Sequence, residues 1–188
     1  MRIISGEARG RSLFAPQGQE TRPTSDKIRG SVFNIIGARV LDARVIDPFG
    51  GTGALALEAL SRGAAFAVIS DSSRQAVQAI ERNARSVLKD AFERRARIMK
   101  ADYRAAIERA EGPFDLVFLD PPYRMVEAYA DALTRLEGKL SAECLVVLER
   151  RKDADIPLPG GFARRDVRIY GDTAVEFIEP IEGAARLR

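Results

Sequence analysis

Short apolar segments alternate with longer amphipathic segments from about residue 43 to residue 148, and this alternation constrains the fold more than any other feature. The apolar segments predict strands at residues 45–47, 65–70, 96–99, 114–119 and 143–148. The segments between them predict helices at residues 53–62, 73–88, 103–110 and 126–137. Strands separated by helices pair in parallel, so the pattern predicts an α/β fold with helices on both faces of a sheet.

The C-terminal end of the chain departs from this alternation. Residues 162–170 and 173–178 predict two strands that are joined directly by Gly171-Asp172, a dipeptide typical of a hairpin turn. We therefore predict a seven-stranded sheet that is mostly parallel and has a C-terminal antiparallel strand.

The N-terminal end predicts a small appendage. Residues 2–5 and 11–14 are short strand-like runs separated by turn residues, which favours a β-hairpin. A helix capped by Thr24 or Ser25 follows and ends at Gly37. We expect residues 1–40 to form a hairpin and helix appendage, and residues 41–188 to form the main domain.

The chain has almost none of the two residue types, histidine and cysteine, that many catalytic and metal sites use. It has no histidine, and Cys144 is its single cysteine. These absences exclude Ser-His-Asp and Cys-His catalysis, histidine-ligated metal sites, internal disulfides and CxxC pairs. Cys144 lies in an apolar run and is predicted to be a buried thiol. The chemistry must then use carboxylates, hydroxyls, the backbone or a cofactor, and we expect no metal.

The length and the hydropathy favour one globular domain. The 188 residues suffice for a single core, and no apolar run approaches the roughly 20 residues of a membrane span. The N-terminus lacks the apolar core of a signal peptide. We expect a cytoplasmic protein without membrane attachment, and a monomer.

Positive charge is concentrated in the N-terminal appendage. Residues 1–40 hold seven basic and three acidic residues, whereas the rest of the chain is close to neutral. Arginine predominates, and its planar group suits phosphate. This charge is either a solvated surface or a contact surface for nucleic-acid phosphates. The predicted nucleic-acid contacts are Arg2, Arg9, Arg11, Arg22, Lys27 and Arg29.

A glycine-rich loop and two further acids predict a ligand pocket. Asp47-Pro48-Phe49-Gly50-Gly51-Thr52-Gly53 follows a predicted strand and precedes a helix, where glycines let the backbone approach a ligand. Asp71 and Asp102 come at or just past the ends of the next two strands. Three acids at neighbouring strand ends suit a cationic nucleoside, although Asp71 and Asp102 could instead be helix caps.

The tetrapeptide Asp120-Pro121-Pro122-Tyr123 follows the fourth predicted strand. A plain turn would not need two prolines. The exocyclic amine of a purine is a poor nucleophile, because its lone pair is delocalised into the ring. The Asp120 carboxylate and the Pro121 carbonyl could accept its two N–H groups and draw the nitrogen towards tetrahedral geometry. Tyr123 offers a ring on which an extruded base can stack.

These motifs, in this order, resemble the class I S-adenosylmethionine-dependent methyltransferases that act on exocyclic amines. More narrowly, the chain resembles the RsmD family, which methylates guanine N2 in 16S ribosomal RNA. The likeness covers nearly the whole chain. Its segments are Arg2–Gly6, Arg9–Arg11, Arg22–Thr24, Arg29, Phe33-Asn34, Gly53–Leu55, Leu57–Gly63 and Asp120–Tyr123.

The resemblance implies a Rossmann-like fold and assigns roles to the motif residues. Asp47, Gly51 and Gly53 would surround the methionine part of the cofactor, Asp71 would hold its ribose, and Asp102 its adenine. Asp71 stands where the family usually has a longer glutamate. The implied cofactor-binding residues are Thr24, Asp47, Phe49, Gly51, Gly53, Asp71, Ser72 and Asp102, and the implied catalytic residues are Asp120, Pro121, Pro122 and Tyr123.

The resemblance implies transfer of a methyl group from S-adenosylmethionine to guanine N2, with 16S rRNA or the small ribosomal subunit as partner. Two alternatives stay open at this point. The tetrapeptide suits adenine N6 equally well, so an adenine methyltransferase acting on RNA or DNA is possible. A catalytically inactive RNA-binding assembly factor could also keep this fold.

Overall fold

Seven strands form one sheet in the computed structural model, which describes residues 1–16 and 26–181. The order across the sheet is β3-β2-β1-β4-β5-β7-β6. The neighbouring pairs β3-β2, β2-β1, β1-β4 and β4-β5 are parallel, whereas β7 is antiparallel to both β5 and β6. The predicted mostly parallel sheet with an antiparallel C-terminal strand is confirmed. The strands are β1 Arg44–Asp47, β2 Phe66–Asp71, β3 Ala96–Lys100, β4 Phe114–Leu119, β5 Leu140–Arg151, β6 Phe162–Tyr170 and β7 Thr173–Pro180.

Helices cover both faces of this sheet, because its central strands are apolar on both sides. In β4, Leu116 and Phe118 belong to one buried cluster with α1 and α2, while Val117 and Leu119 belong to a second with α5 and α6. The described helices are α1 Asp26–Ile36, α2 Ala54–Ser61, α3 Arg74–Leu88, α4 Phe92–Arg95, α5 Tyr103–Arg109 and α6 Glu127–Leu136, with 3-10 turns at Gly37–Val40 and Lys89–Ala91.

The predicted hairpin at the N-terminus forms as a short pair of arms with one antiparallel bridge, between Arg2 and Ser12. Backbone hydrogen bonds from Ile3 N–H to the Arg11 carbonyl at 2.9 Å and from Gly10 N–H to the Ile3 carbonyl at 2.8 Å also join the arms. Ile3, Ala8 and Leu13 are buried in the same cluster as α1 and α2. This segment therefore shares the core of the main sheet. We refer to residues 1–16 as the N-terminal segment.

The N-terminal segment is held against the end of α2 by its backbone. Gly6 has φ +83°, and a Cβ there would lie 1.8 Å from the Ser61 carbonyl oxygen, so only glycine permits this approach. Ala8 donates its N–H to the Ser61 hydroxyl at 3.0 Å, and that hydroxyl donates to the Ser5 carbonyl at 2.7 Å. The segment is thus fixed to the helix that follows the glycine-rich loop.

A buried ion network adds to this attachment and corrects one sequence prediction. Glu58 in α2 is fully buried and accepts the N–H groups of Ile4 at 2.7 Å and Ser5 at 3.0 Å. The Arg29 guanidinium lies 3.7 Å from Glu58 and is also fully buried. It donates to Asp26 and to the backbone carbonyl of Arg2. The prediction that Arg29 contacts RNA is wrong, because its side chain does not reach the surface.

Candidate active site

A cleft of about 1120 Å³ opens at the carboxyl ends of β1, β2 and β4. Parallel strands bring their carboxyl ends to one edge of a sheet, so residues far apart in sequence meet there. Most of the predicted site residues line this cleft. They are Asp47, Phe49, Gly51, Asp71, Ser72, Asp102, Asp120, Pro121, Pro122 and Tyr123.

Two predicted cofactor contacts, Gly53 and Thr24, are not among the described residues that line the cleft. Gly53 does not line the cleft; it has φ +79° and precedes α2, and its N–H donates to the Gly50 carbonyl at 2.6 Å. Thr24 lies outside the described residues, as does Arg22 among the predicted RNA contacts. The other RNA candidates, Arg2, Arg9, Arg11 and Lys27, are exposed.

The glycine-rich loop packs tightly on one side and is open on the other. A Cβ at Gly50 would lie 2.7 Å from a methyl carbon of Ile69, so this glycine lets the loop rest on β2. Gly51 has φ +57°, and a Cβ there would meet no atom within 4 Å. Gly51 therefore presents its backbone to the cleft, where a side chain would occupy ligand space.

Asp71 fixes the glycine-rich loop to the start of α3. Its carboxylate accepts the Gly51 N–H at 3.0 Å and the Ser73 N–H at 2.8 Å. The N-cap of α3 is Ser73, whose side chain accepts the Ala76 N–H at 3.4 Å. Asp71 thus orders the turn on which the loop rests, and its carboxylate remains on the cleft wall.

Asp102 is the N-cap of α5, the helix-cap role that the sequence allowed for it. Its carboxylate accepts the Ala105 N–H at 3.0 Å while the residue still lines the cleft. The next residue, Tyr103, stacks on Phe49 with ring centroids 5.0 Å apart. Together these residues give the cleft a flat aromatic wall beside a carboxylate.

Burial shifts the protonation of two carboxyl groups in the cleft. Asp47 is only 2% exposed, and burial raises its pKa from 3.8 to about 7, helped by the charge of Asp71. Burial also raises the pKa of Asp120 well above its ordinary value, and the charges of Glu149 and Asp47 raise it further. The cleft thus holds acidic groups that a bound cation would stabilise in their charged form.

The tetrapeptide forms the turn between β4 and α6. Pro121 is buried, Pro122 is exposed, and Tyr123 is half-buried with its hydroxyl 3.5 Å from that of Thr173. The Pro122 carbonyl accepts the Met125 N–H at 2.8 Å and closes the turn. The turn therefore presents the Asp120 carboxylate and the Tyr123 ring to the same cleft.

Sequence reasoning missed several residues that line the cleft, and Glu149 is the most consequential. It lies on β5 directly after the predicted strand at residues 143–148, so the strand-end rule that selected Asp47 and Asp71 also applied to it. Glu149 is 8% exposed. The other unpredicted lining residues include Met1, Tyr103, Arg104, Arg124 and Met125.

Within residues 1–16 and 26–181, no cluster of three or more acidic, cysteine or histidine side chains is arranged to hold a metal ion. None of the helices in these ranges is long and apolar enough to cross a membrane. Cys144 is buried and unpaired, as predicted, and burial raises the pKa of its thiol to about 12.

Comparison with known proteins places the chain in a family. The model of the family described as conserved hypothetical protein 95 matches residues 1–179. The chain belongs to this family. The ribosomal RNA small subunit methyltransferase D of Escherichia coli K12 is 33% identical over 177 residues, covering 93% of this chain and 87% of that protein. The predicted relationship to the RsmD methyltransferases is confirmed.

Solved structures of similar sequence share the complete fold of this family member. The "Putative methyltransferase yhhF" of Escherichia coli is 29% identical with a TM-score of 0.82, and covers 96% of this chain and 97% of its own. The Thermus thermophilus hypothetical protein TTHA0928 is 30% identical with a TM-score of 0.79, covering 95% of this chain and 99% of its own. The methyltransferase fold predicted from the sequence is therefore confirmed.

Proposed function

We propose that this protein transfers a methyl group from S-adenosylmethionine to the exocyclic N2 amine of one guanine in 16S rRNA. The observation that carries the proposal is the meeting of the glycine-rich loop and Asp120–Tyr123 in one acidic cleft. Relatives named as small-subunit ribosomal RNA methyltransferases support the substrate. A cytoplasmic location and a monomeric state remain predictions.

The residues of the cleft fit the cofactor. Among the described residues, five carboxylates line it, those of Asp47, Asp71, Asp102, Asp120 and Glu149, against two arginines. A cleft with this charge balance favours a ligand that carries positive charge, such as the ammonium and sulfonium groups of S-adenosylmethionine. When bound, this cofactor supplies a methyl group attached to a positively charged sulfur.

Particular residues would hold each part of that cofactor. Asp47, buried beside the open backbone of Gly51, would pair with the ammonium group. Asp71 has an acceptor position beyond its two backbone hydrogen bonds, since a carboxylate can accept about four, and would reach the ribose. Phe49 stacked on Tyr103 would form the wall against the adenine ring.

The target amine would be handled by the turn after β4. Asp120 would accept one N–H of the amine and Pro121 would offer its carbonyl to the other, which localises the nitrogen lone pair towards the methyl group. The raised pKa of Asp120 suits it to take the proton that the amine loses after transfer. Tyr123 would stack on the base once it has left its helix.

The exposed cations of the N-terminal segment would position the RNA. Arg9 and Arg11 are exposed, and Arg2 has a side chain 71% exposed. Their segment is fixed to α2 through Ser61 and Glu58, and α2 directly follows the glycine-rich loop. Phosphates bound here would therefore lie at a fixed distance from the cleft.

Labelled methyl transfer tests the proposal. Small ribosomal subunits and 16S rRNA that lack their own methylation are incubated with labelled S-adenosylmethionine, and the digested nucleosides are separated. We expect N2-methylguanosine at a single position, formed about 100-fold or more slowly by an Asp120→Ala control that still binds the cofactor. Recovery of N6-methyladenosine would establish the adenine alternative. Cofactor binding without transfer to either substrate would favour an inactive assembly factor.

A further inference from the structure

Glu149 occupies a defined position beside the catalytic turn. It lies near the end of β5, is 8% exposed, and lines the cleft together with Asp120 and Tyr123. Its backbone is held in place, because the Tyr129 hydroxyl from α6 donates to the Glu149 carbonyl at 2.7 Å. A buried carboxylate on a fixed strand can recognise a ligand with little loss of side-chain freedom.

The sheet register places Glu149 next to Asp120. Leu119, the last residue of β4, is paired with Leu148 of β5 in the parallel ladder. Asp120 follows directly after β4, and Glu149 is the next residue of β5. The negative charge of Glu149 contributes to the raised pKa of Asp120, as expected of two close carboxyl groups. Arg150, which follows Glu149, is bound to Glu176 at 2.5 Å.

A second carboxylate beside the amine acceptor distinguishes the two candidate bases. Guanine has a donor, N1–H, next to its N2 amine. Adenine has an unprotonated N1, an acceptor, next to its N6 amine. A carboxylate only accepts hydrogen bonds, so it attracts the guanine edge and repels the adenine edge. The Asp120–Tyr123 turn cannot make this distinction, because both bases offer it the same two amine N–H groups.

We propose that Glu149 selects guanine by accepting its N1–H while Asp120 accepts an N–H of the N2 amine. This inference rests on the proposed function, since it requires methyl transfer to a purine amine in this cleft. It makes Glu149 a specificity-determining residue. When adenine enters the cleft, the Glu149 carboxylate faces the lone pair of the unprotonated N1 and accepts no hydrogen bond from the base. This loss disfavours adenine relative to guanine.

The test compares two bases that share the N2 amine. Small subunits are reconstituted with 16S rRNA carrying either guanine or 2-aminopurine at the mapped target; 2-aminopurine keeps the amine but its N1 is unprotonated. The ratio of kcat/KM for the two substrates is measured for the wild type, for Glu149→Gln and for Glu143→Gln. Glu143 is exposed on the same strand and does not line the cleft, so it is the matched control.

We expect the wild type and Glu143→Gln to prefer guanine strongly. Glu149→Gln should lower that preference by about tenfold to 100-fold, because an amide can donate to the unprotonated N1 of 2-aminopurine. 2-Aminopurine also lacks the O6 oxygen of guanine. We expect this difference to affect all three proteins equally, so that it cancels when their kcat/KM ratios are compared.

Three results would overturn the inference. The first is that the wild-type protein methylates guanine and 2-aminopurine equally. This measurement needs no variant, so it tests the inference even if Glu149→Gln fails to fold. The second is an unchanged preference in a folded Glu149→Gln protein. The third is an effect of Glu149→Gln confined to cofactor affinity or to the pH profile. Failure of the proposed function looks different, because the wild type would then not methylate guanine at all.

Discussion

Replacing Asp47 by asparagine should separate ligand binding from stability, with opposite effects on the two. The Asp47 carboxyl has a pKa of about 7 in the folded protein against 3.8 ordinarily, chiefly because it is buried. At high pH, that pKa difference lowers the free energy of unfolding by about 4 kcal/mol. Asparagine keeps an oxygen for the Phe49 N–H, 3.3 Å away, and removes the ionisable group.

The sign of the pH dependence follows from the two values. Below about pH 3.8 the Asp47 carboxyl is protonated in both the folded and the unfolded chain, so it costs nothing. Between pH 3.8 and 7 only the unfolded chain releases the proton, and stability falls as pH rises. Above pH 7 the cost stays constant. We expect Asp47→Asn to be more stable than the wild type by about 2 kcal/mol at pH 5 and about 4 kcal/mol at pH 8.

Urea unfolding at both pH values measures this difference, with Asp90→Asn as the matched control because Asp90 is exposed. Cofactor binding should change in the opposite direction. Calorimetry with S-adenosylhomocysteine, which keeps the ammonium group, should show wild-type affinity falling about tenfold from pH 8 to pH 6. Asp47→Asn should bind weakly at every pH. Equal stability gains at pH 5 and 8, or a pH-independent wild-type affinity, would refute the reasoning.

Four further substitutions test the rest of the site. Asp120→Ala should keep cofactor affinity within a few-fold and lower single-turnover transfer by about 100-fold or more, since Asp120 is proposed to act on the amine and not on the cofactor. Tyr123→Phe should transfer methyl normally and Tyr123→Ala poorly, because stacking needs only the ring; equal rates would exclude stacking. Arg9→Ala with Arg11→Ala should flatten the salt dependence of RNA binding by up to about one unit of log–log slope per lost phosphate contact, without changing cofactor affinity. Glu58→Ala should lower the unfolding free energy by about 3–5 kcal/mol in urea, because it removes the buried carboxylate that pairs with Arg62 and Arg29 and accepts the Ile4 and Ser5 N–H groups.

The sheet and the cleft were predictable from the sequence because both follow from local patterns. Strand-like runs of three to six mainly apolar residues, separated by helices, fix the order of elements, and an acid at the carboxyl end of such a strand must lie at one edge of the sheet. Asp47 and Asp71 were found in this way. Glu149 obeys the same rule, but β5 extends to Arg151, beyond its apolar run. Because the charged residues Glu149 and Arg150 follow that run directly, the sequence does not show where the strand ends.

The N-terminal segment was less predictable, because its structure depends on partners distant in sequence. Arg29 has the composition of a surface contact, yet it is buried against Glu58, 29 residues further along the chain. The hairpin pattern predicted the turn, but it did not predict that Glu58 and Ser61 accept the backbone N–H groups of Ser5 and Ala8. No local periodicity carries this information.

The buried carboxylates of this protein are compensated in two different ways, and the difference marks the site. Glu58 is bound by Arg62 at 2.7 Å, and Glu176 by Arg150 and Arg164 at 2.5 Å each, so these charges are neutralised within the fold. Among the described residues, Asp47 has no arginine or lysine ion pair, and its pKa rises instead. This difference supports the proposal that a cationic ligand neutralises Asp47. Binding of such a ligand would recover the stability that Asp47 costs the free protein.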